Sequence, residues 1–453
     1  MHVGAAFSSL KQDQKEAVGL LQIGTFLEYF DLLLYVHMAV LLNGLFFPQT
    51  DPHTASLLAA FAFCSTFVLR PFGALIFGYI GDHVGRKPTV VITTIMMAIS
   101  CIVMANLPTY DQIGISAAWI ATICRIMQGL SSMGERVGAE IYLTEMIKAP
   151  LKYPLVAFIS VFADIGSMMA LVVASLVTLV GFDWRVAFWI GACIAVIGSV
   201  ARTRLRETPE FVDMRRRMKR AVEDATHDGL GNAAELLKST NLILKEKVNK
   251  KTASAFFLIY CGYPVCFYFS FIYCGTILKN TFGFTPEQII HQNLIVSVVQ
   301  LLTCILFASL SYKIHPLKIM KAKVIVFLVC IVLYPYFLNN IQTPFQLLIL
   351  QSVIFLFLPT DMPGNPIFIK YFPVFKRFTS YSLLYAISRA LMYLITSFAL
   401  VYLTEILGSM GLLIIMVPIG FGYLWGVIQF EKLELKFENL PKNSFSLLPS
   451  YRK

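Results

Sequence analysis

Long apolar runs alternate with short polar connections along the whole chain. An apolar run of about 20 residues is long enough to cross a bilayer core of about 30 Å as a helix. The first run is too long for a cleavable signal, so it is predicted to be a span like the others. The pattern predicts twelve spans, at residues 17–46, 54–80, 88–107, 113–146, 154–180, 184–204, 252–278, 290–311, 319–338, 343–369, 378–404 and 408–430.

One polar connection is much longer than the others and follows the sixth span. It covers residues 206–251 and separates an N-terminal half, residues 1–205, from a C-terminal half, residues 252–430, which a tail of residues 431–453 follows. Two halves joined by a linker are typical of transporters that bind their substrate between the halves, near the bilayer midplane. The expected fold is an all-α membrane protein with twelve transmembrane helices in two six-helix halves.

The composition supports a membrane protein. Hydrophobic residues make up 57% of the chain, charged residues only 14%, and the mean hydropathy is +0.71. Soluble proteins carry about 25% charged residues. The predicted spans leave no room for a sizeable soluble domain, so the chain is expected to be integral to a membrane, which we place as a bacterial inner membrane.

The net charge of +11 is explained by where the bases lie. They fall on every second connection, which by the positive-inside rule places both termini in the cytoplasm. No compact basic groove is present, so no nucleic-acid partner is expected. The bases of these connections are Arg86, Lys87, Lys148, Lys152, those of residues 202–251, Lys313, Lys318, Lys321, Lys323, Lys376, Arg377 and those of residues 432–453.

Catalytic and metal motifs are missing from the sequence. All nine cysteines lie in predicted spans, without a CxxC pair or a His/Cys cluster at metal spacing. Neither H-E-x-x-H nor G-x-S-x-G occurs. No catalytic residue, metal or cofactor is therefore expected, and a membrane-embedded enzyme is disfavoured. The expected partners are the lipid bilayer, a small-molecule substrate and a proton, and the expected state is a monomer.

A charged turn, GYIGDHVGRKP at residues 78–88, separates the second and third spans. Its glycines permit close backbone approach and positive φ. Asp82 can accept hydrogen bonds from Arg86 or from free N–H groups at the start of a neighbouring helix. The turn is predicted to be a conformational latch, and the alternative is a positive loop that only fixes topology. The latch candidates are Gly78, Gly81, Asp82, Gly85, Arg86 and Lys87.

The first span carries ionisable groups, which cost about 2.5–3.5 kcal/mol each at the centre of a membrane helix. Glu28, Asp31 and Tyr35 recur at i, i+3 and i+7, so they share one face of the helix. We expect that face to line a central cavity.

The fourth span carries a polar seam of Arg125, Gln128, Ser132 and Glu135, spaced by three, four and three residues. The functional interpretation is a proton or substrate pathway. The alternative is a buried structural ion pair, and Arg136 is placed to neutralise Glu135.

The fifth and eleventh spans each carry an isolated charge. Asp164 is either a pathway residue or part of a helix-packing hydrogen bond among small residues. Arg389 stands four residues after Tyr385 and can pair with a substrate carboxylate or with an acid of the other half.

The tenth span is interrupted by LPTDMPGNP, residues 358–366. The freed backbone groups are tolerated only beside protein or a cavity, which predicts a hinge or gate at Pro359, Pro363, Gly364 and Pro366. Asp361 within it is either a site residue or the cap of a half-helix. The aromatic run at residues 259–273 either holds a quaternary ammonium group or only packs.

The turn at residues 78–88 resembles the G-x-x-x-D-R-x-G-R-K signature of the major facilitator superfamily, with His83 where an arginine is usual. The segments at residues 24–35, 69–78, 125–145 and 184–211 are similar to the metabolite:proton symporter family, which includes proline/betaine, dicarboxylate, citrate and shikimate carriers. The resemblance covers roughly the first 211 residues. The C-terminal half agrees mainly in span count, and Tyr312 stands where its version of the signature should have an acid.

The resemblance implies a role for several of these residues. It implies that the turn docks on the eleventh span as a latch, that Arg125 and Gln128 of the R-x-x-Q-G motif take part in proton coupling, and that Glu135 is the family's motif acid. Arg136 replaces the usual tryptophan. Candidate proton carriers are Glu28, Asp31, Glu135 and Asp164, with Asp31 and Glu135 ranked first.

The expected function is proton-coupled symport of a small carboxylate-bearing metabolite by alternating access. The substrate is either a zwitterion of the proline or betaine kind or a di- or tricarboxylate. Proton-driven efflux is the alternative.

Overall fold

The computed structural model describes residues 7–47, 68–180, 183–227, 248–396, 399 and 401–438. The secondary structure of these ranges is helical, and each of the twelve predicted spans contains a helix in its described part. Residues 54–67 of the second predicted span, residues 228–247 of the predicted linker and residues 439–453 of the tail lie outside the described residues. The all-α membrane fold is confirmed, while the division into halves stays a prediction.

The described helices before the linker follow one another with short connections. They are α1 Gln12–His37, α2 Ala39–Phe46, α3 Arg70–His83, α4 Arg86–Asn106, α5 Tyr110–Ile113, α6 Ile115–Met146, α7 Lys152–Val180 and α8 Trp184–Arg202. Helix α9, Pro209–His227, lies in the predicted linker.

The described helices after the linker are shorter and more often interrupted. They are α10 Lys250–Tyr260, α11 Gly262–Phe267, α12 Cys274–Phe282, α13 Pro286–Leu310, α14 Pro316–Asn339, α15 Pro344–Phe357, α16 Asn365–Lys370, α17 Arg377–Ile395, α18 Val401–Leu407 and α19 Gly411–Glu438. A π-helical turn, Tyr268–Tyr273, joins α11 to α12.

Local sequence signals set several helix ends. Thr285 and Thr343 form capping boxes with Gln288 and Gln346, and a proline follows each threonine at the first helical position. Gly283 ends α12 in the left-handed conformation, with φ of 66°. These caps fix where the chain leaves one span and enters the next.

Six of the described helices are long and apolar enough to cross a membrane: Gln12–Tyr35, Arg86–Asn106, Lys152–Leu176, Lys250–Phe282, Gln288–Leu310 and Gly408–Lys436. Large apolar side chains also cover the outside of the bundle. Trp119 is 65% exposed and Ile197 is 69% exposed. A surface of this kind is stable against lipid rather than water, as expected for an integral membrane protein.

The tenth span is broken where the sequence predicted. Helix α15 ends at Phe357 and α16 begins at Asn365. Between them, the Gly364 N–H donates to the Asp361 carbonyl over 2.8 Å, and the Asn365 amide donates to the Asp361 carboxylate over 2.9 Å. The interruption is confirmed, and its role as a hinge stays a prediction.

Packing within the N-terminal half joins α1 to α7 and α4 to α8, while α10 and α14 pack on α19 in the C-terminal half. The two halves meet mainly where α3 packs on α17 and where α7 packs on α13. A hydrophobic cluster includes residues of both halves, such as Val137 and Phe378. The space left between these contacts holds the candidate site.

Candidate functional site

A small cavity of about 40 Å³ lies between the two halves. Helices α1, α6 and α7 line it from the N-terminal half, and α11, α13, α14, α15, α17 and the break in the tenth span line it from the C-terminal half. Its charged and phenolic lining residues are Tyr29, Arg136, Asp164, Tyr263, Lys323, Asp361 and Arg389. The position between the halves is the one predicted for a transporter's binding site.

Asp361 joins the two halves through two arginines. One carboxylate oxygen lies 3.5 Å from Nη2 of Arg136, and the other lies 3.8 Å from Nη2 of Arg389. Both distances exceed the roughly 2.7–2.9 Å of a strong charge-assisted hydrogen bond. Nε of Arg389 is buried with no hydrogen-bond partner among the described residues. The Arg389 guanidinium therefore keeps donor capacity at the cavity.

Tyrosine rings in and beside the cavity make cation–π contacts with the same two guanidinium groups. The Arg389 guanidinium lies 4.4 Å from the Tyr263 ring centroid and 5.1 Å from that of Tyr385. The Arg136 guanidinium lies 5.5 Å from the Tyr29 ring centroid and 5.8 Å from that of Tyr385. Cation–π contacts at these distances help to hold both cations in place.

Arg136 does not neutralise Glu135, contrary to expectation. Its Nε donates to Glu140 over 3.1 Å and its Nη2 donates to the Ser160 hydroxyl over 3.3 Å, while Nη1 donates to the Tyr29 hydroxyl. The reason is helical geometry, because side chains four residues apart on a helix lie on the same face and adjacent ones do not.

Glu135 instead pairs with Arg202 inside the N-terminal half. The Thr94 hydroxyl also donates to Glu135 over 2.8 Å, and the Arg202 guanidinium donates to the Leu20 carbonyl over 3.1 Å. Arg202 was expected to belong to the basic linker, yet it is buried. These contacts favour the structural ion pair for Glu135, and its ranking among the proton carriers falls accordingly.

The first-span face does not line the cavity as a whole, and this expectation is wrong for Asp31 and Tyr35. Asp31 lies beside Cys101 and Arg125 within the N-terminal half. Arg125 donates to Gln128 over 3.1 Å and lies 4.2 Å from the Tyr35 ring centroid. The four predicted residues Asp31, Tyr35, Arg125 and Gln128 do come together, but inside this half.

Glu28 is fully enclosed near Glu135 and Arg70. The first-span residue that reaches the cavity is Tyr29, which is one position further along and about 100° around the helix. Periodicity identified the polar face of α1, but the other helices around α1 decide which face meets the cavity.

Asp164, a candidate pathway residue, lines the cavity. Gln300 of α13 donates to its Oδ1 over 2.7 Å, which links the two halves. Its Oδ2 is buried with no hydrogen-bond partner among the described residues. Asp164 is thus a buried cavity carboxyl group with one oxygen left unbonded, and no guanidinium or ammonium lies within ion-pair distance of it in the described part of the chain.

Besides Tyr29, several residues at or beside the cavity were not singled out as site residues by the sequence. Lys323 was placed among the bases of a connection, but it is only 4% exposed and lines the cavity. Glu140 binds Arg136 and accepts a hydrogen bond of 2.5 Å from Tyr381 of the other half. Asp361 was left open between a site residue and a cap; its carboxylate lies at the two arginines and accepts from the Asn365 side chain, and it makes no cap hydrogen bond to a described helix N–H. The signal for Lys323 was its position four residues inside the ninth predicted span.

The turn at residues 78–88 binds the start of the eleventh span. The two carboxylate oxygens of Asp82 accept hydrogen bonds of 2.9 Å from the N–H groups of Phe378 and Thr379. These N–H groups belong to the first turn of α17, where a helix has no partners of its own for them. Asp82 therefore caps a helix of the opposite half, and burial is complete.

Arg86 and Arg377 share one buried acid at the same end of the bundle. Arg86 donates to Glu145 over 3.1 Å and to the Val374 carbonyl over 2.9 Å. Arg377 pairs with Glu145 at 2.8 Å and with Glu210 of the linker helix α9 at 2.5 Å. Together with Asp82, these contacts tie the two halves at the end that the base distribution predicts to be cytoplasmic.

The glycines of the turn make this close approach possible. A Cβ on Gly81 would lie 2.3 Å from the Phe378 ring, and one on Gly78 would lie 2.6 Å from the Thr379 backbone. Gly85 has φ of 147°, and its neighbours Arg86 and Lys87 donate their backbone N–H groups to Glu207 over 3.1 and 3.3 Å. Burial raises the pKa of Glu207, which these N–H groups partly offset.

A family model described as the Major Facilitator Superfamily matches residues 21–392. The chain belongs to the Major Facilitator Superfamily. Its fold and the cavity between its halves agree with this assignment.

Two curated relatives are similar to part of the chain. The proline/betaine transporter of Escherichia coli strain K12 is 32% identical over 226 residues, which are 48% of this chain and 44% of the relative. The inner membrane metabolite transport protein YhjE of Escherichia coli strain K12 is 38% identical over 197 residues, which are 42% of this chain and 45% of the relative. The chain therefore matches less than half the length of each.

Two solved structures resemble almost the whole chain. The proton:xylose symporter XylE bound to 6-bromo-6-deoxy-D-glucose has a TM-score of 0.69 at 14% identity, over 94% of this chain and 96% of that one. The human organic anion transporter MFSD10 has a TM-score of 0.63 at 15% identity, over 93% of this chain and 100% of that one. These likenesses establish the fold, and the prediction that the chain is not an enzyme agrees with what its relatives are.

Proposed function

We propose that the protein is a secondary transporter of a bacterial inner membrane, which takes up a small carboxylate-bearing metabolite together with a proton. The observation that carries the proposal is the cavity between the halves, in which Arg136 and Arg389 from opposite halves share one carboxylate, that of Asp361. The named activities of the proline/betaine transporter and YhjE support transport of a metabolite.

The substrate carboxylate binds at the two arginines, next to Asp361. Asp361 holds them only over 3.5 and 3.8 Å, and the buried Nε of Arg389 has no described hydrogen-bond partner. A substrate carboxylate that binds a guanidinium bidentately makes shorter and stronger bonds than these. Binding therefore adds a link between the halves through the substrate.

Asp164 is the proposed proton carrier. It is buried in the cavity, and its unbonded Oδ2 can hold a proton next to the bound substrate. Glu135 and Asp31 are less suited, because the first is paired with Arg202 and the second is packed away from the cavity. Inward proton movement supplies about 2.3 kcal/mol for each 100 mV of membrane potential.

Alternating access requires that one end of the cavity opens as the other closes. The described contacts of Asp82, Arg86 and Arg377 bind the halves at the predicted cytoplasmic end. We propose that this latch releases when substrate and proton are bound, and that the break at Pro359, Pro363, Gly364 and Pro366 acts as the hinge. We further propose that both termini are cytoplasmic, that the protein works as a monomer and that it does not bind nucleic acid.

The test is uptake by proteoliposomes that contain the full chain. A panel of labelled carboxylate metabolites is offered with an imposed proton gradient, and then with the gradient collapsed by a protonophore. Uptake against a concentration gradient that the protonophore abolishes supports proton-coupled symport. Arg389→Gln should abolish it, because the substrate loses a guanidinium.

Arg185→Gln, at a half-buried arginine in the first turn of α8 and outside the cavity lining, is the matched control and should transport normally. Proton-driven efflux is the alternative function. In that case, an imposed proton gradient would drive the solute in the direction opposite to the proton. That result would exclude uptake together with the proton.

A further inference from the structure

Lys323 is a cavity cation that the described protein does not neutralise. Its side chain is 4% exposed and lines the cavity from α14. The ammonium lies 4.6 Å from the Phe307 ring centroid. Among the described residues, no carboxylate lies within ion-pair distance of this ammonium. Burying an ammonium group without a partner is costly, so the position calls for an anion that the protein itself does not supply.

The acids in and beside the cavity already have partners within the protein. Asp361 accepts from Asn365 and lies between Arg136 and Arg389. Glu140 accepts from Arg136 and from Tyr381. Asp164 is the other acid among the described lining residues, and under the proposed function it holds the coupled proton. A positively charged group on the substrate would thus find no free carboxylate.

The tyrosine rings in and beside the cavity already contact the protein's own cations. A quaternary ammonium group is usually held against aromatic faces. The rings of Tyr29, Tyr263 and Tyr385 already carry the guanidinium groups of Arg136 and Arg389 at 4.4–5.8 Å from their centroids. A substrate with a betaine-like cation would have to displace the protein's own cations from these rings.

The charge balance points in the same direction. The cations are Arg136, Lys323 and Arg389, and the acids in contact with them are Glu140 and Asp361 once Asp164 is protonated. The loaded site then has one positive charge in excess. A zwitterion leaves that excess in place, whereas an organic anion removes it.

We propose that the substrate is an organic anion without a cationic group, and that Lys323 binds its carboxylate and determines this specificity. The inference rests on the proposed function and names the substrate class of the same site. It separates the protein from the proline/betaine transporters that it resembles in its first half, because those transporters are named for zwitterions.

The test measures binding separately from transport. Purified full-length protein is heated with and without ligand, since a ligand that binds only the folded state raises the unfolding temperature. The probes are a monocarboxylate series from acetate to benzoate, the dicarboxylates malonate, succinate and glutarate, and the tricarboxylate citrate, with proline and glycine betaine as zwitterions. At least one anion should stabilise the protein, and the zwitterions should not.

The variants compare two lysines on the same helix. Lys323→Gln should weaken the binding of that anion at least ten-fold, and Lys323→Arg should restore most of it because the charge returns. Lys321→Gln is the matched control, since Lys321 is 39% exposed at its side chain and pairs with Glu431 at 2.8 Å, away from the cavity. It should bind the anion as the unaltered protein does.

Three results would overturn the inference. The first is that proline or glycine betaine stabilises the protein and that Lys323→Gln leaves this effect unchanged. The second is that a Lys323→Gln protein with a normal unfolding temperature binds the anion as tightly as the unaltered protein does. The third is that no anion of the panel stabilises the protein. If Lys323→Gln does not fold, Lys323→Met and Lys323→Arg take its place. The inference then requires that folded Lys323→Met loses anion binding and that Lys323→Arg retains it. Failure of the proposed function would look different, because anions would bind through Lys323 but a proton gradient would not drive their uptake.

Discussion

Replacing Asp82 by asparagine should weaken the closure of the predicted cytoplasmic end. Asp82 accepts two backbone hydrogen bonds of 2.9 Å from the first turn of α17, one at each carboxylate oxygen. Asparagine keeps the shape but offers one oxygen, and its NH₂ group then faces the second N–H. A hydrogen bond to a charged group contributes about 1.5–3 kcal/mol. We expect a loss of about 2–3 kcal/mol, which shifts the ratio of closed to open forms by roughly 30- to 150-fold.

The shift can be measured by thiol labelling. Ser382 is fully buried between the halves, where its hydroxyl donates to the Ala74 carbonyl over 3.2 Å. In a variant without native cysteines, Ser382→Cys should react with a maleimide from the cytoplasmic side at least ten times faster when Asp82 is asparagine, and transport should fall several-fold. Asp183→Asn, at an exposed acid, is the control. An unchanged labelling rate in the Asp82 variant would refute the latch and reduce the turn to a topology signal.

Three further predictions follow from the same contacts. Asp164→Asn should abolish accumulation driven by a proton gradient yet preserve substrate exchange, measured side by side in proteoliposomes, and concentrative uptake by this variant would exclude Asp164 as the carrier. Glu135→Gln should lower the free energy of unfolding by about 3–5 kcal/mol, because it leaves Arg202 buried without its partner. The thermal unfolding temperature should therefore fall, while the protein that stays folded should still couple transport to protons; a stable but uncoupled variant would contradict this. Single cysteines at Asp111 and Lys219 should label from outside and inside respectively, and external labelling of Lys219 in intact cells would reverse the topology.

The sequence alone predicted the membrane helices and the charged turn at residues 78–88. Apolar length located each predicted span in which the structure describes a helix, because a helix needs about 20 largely apolar residues to cross the bilayer core. The Asp82 cap was also foreseeable, since the motif puts an acid among glycines, and a helix start supplies free N–H groups. Gly78 and Gly81 supply the close approach that lets these groups meet.

The partners of buried charges could not be predicted from spacing. Glu135 and Arg136 are adjacent in sequence but point to different sides of α6, one to Arg202 and the other to Glu140 and Asp361. Periodicity shows which residues lie on the same face of a helix, but it does not show which neighbouring helix packs against that face. For the same reason Asp31 was expected at the cavity, although Tyr29 is the residue that lines it.

Lys323 was misplaced because a hydropathy pattern fixes the ends of a span only to within a few residues. It follows three other lysines, so it was counted with the connection rather than with the membrane. Four residues correspond to about one helical turn, or 6 Å. Lys321 and Lys323 are only two residues apart, but they lie about 200° apart around the helix, so Lys321 pairs with Glu431 outside the cavity and Lys323 lines it.

The central claim is that one solute and one proton move together through the cavity. The most direct measurement uses proteoliposomes without an imposed gradient, in which a pH-sensitive dye outside reports proton movement when the transported anion is added. The account predicts that the external solution becomes more alkaline as solute enters, that Arg389→Gln abolishes both movements, and that Asp164→Asn abolishes the alkalinisation. Solute entry without any change in external pH, or with acidification, would contradict proton symport.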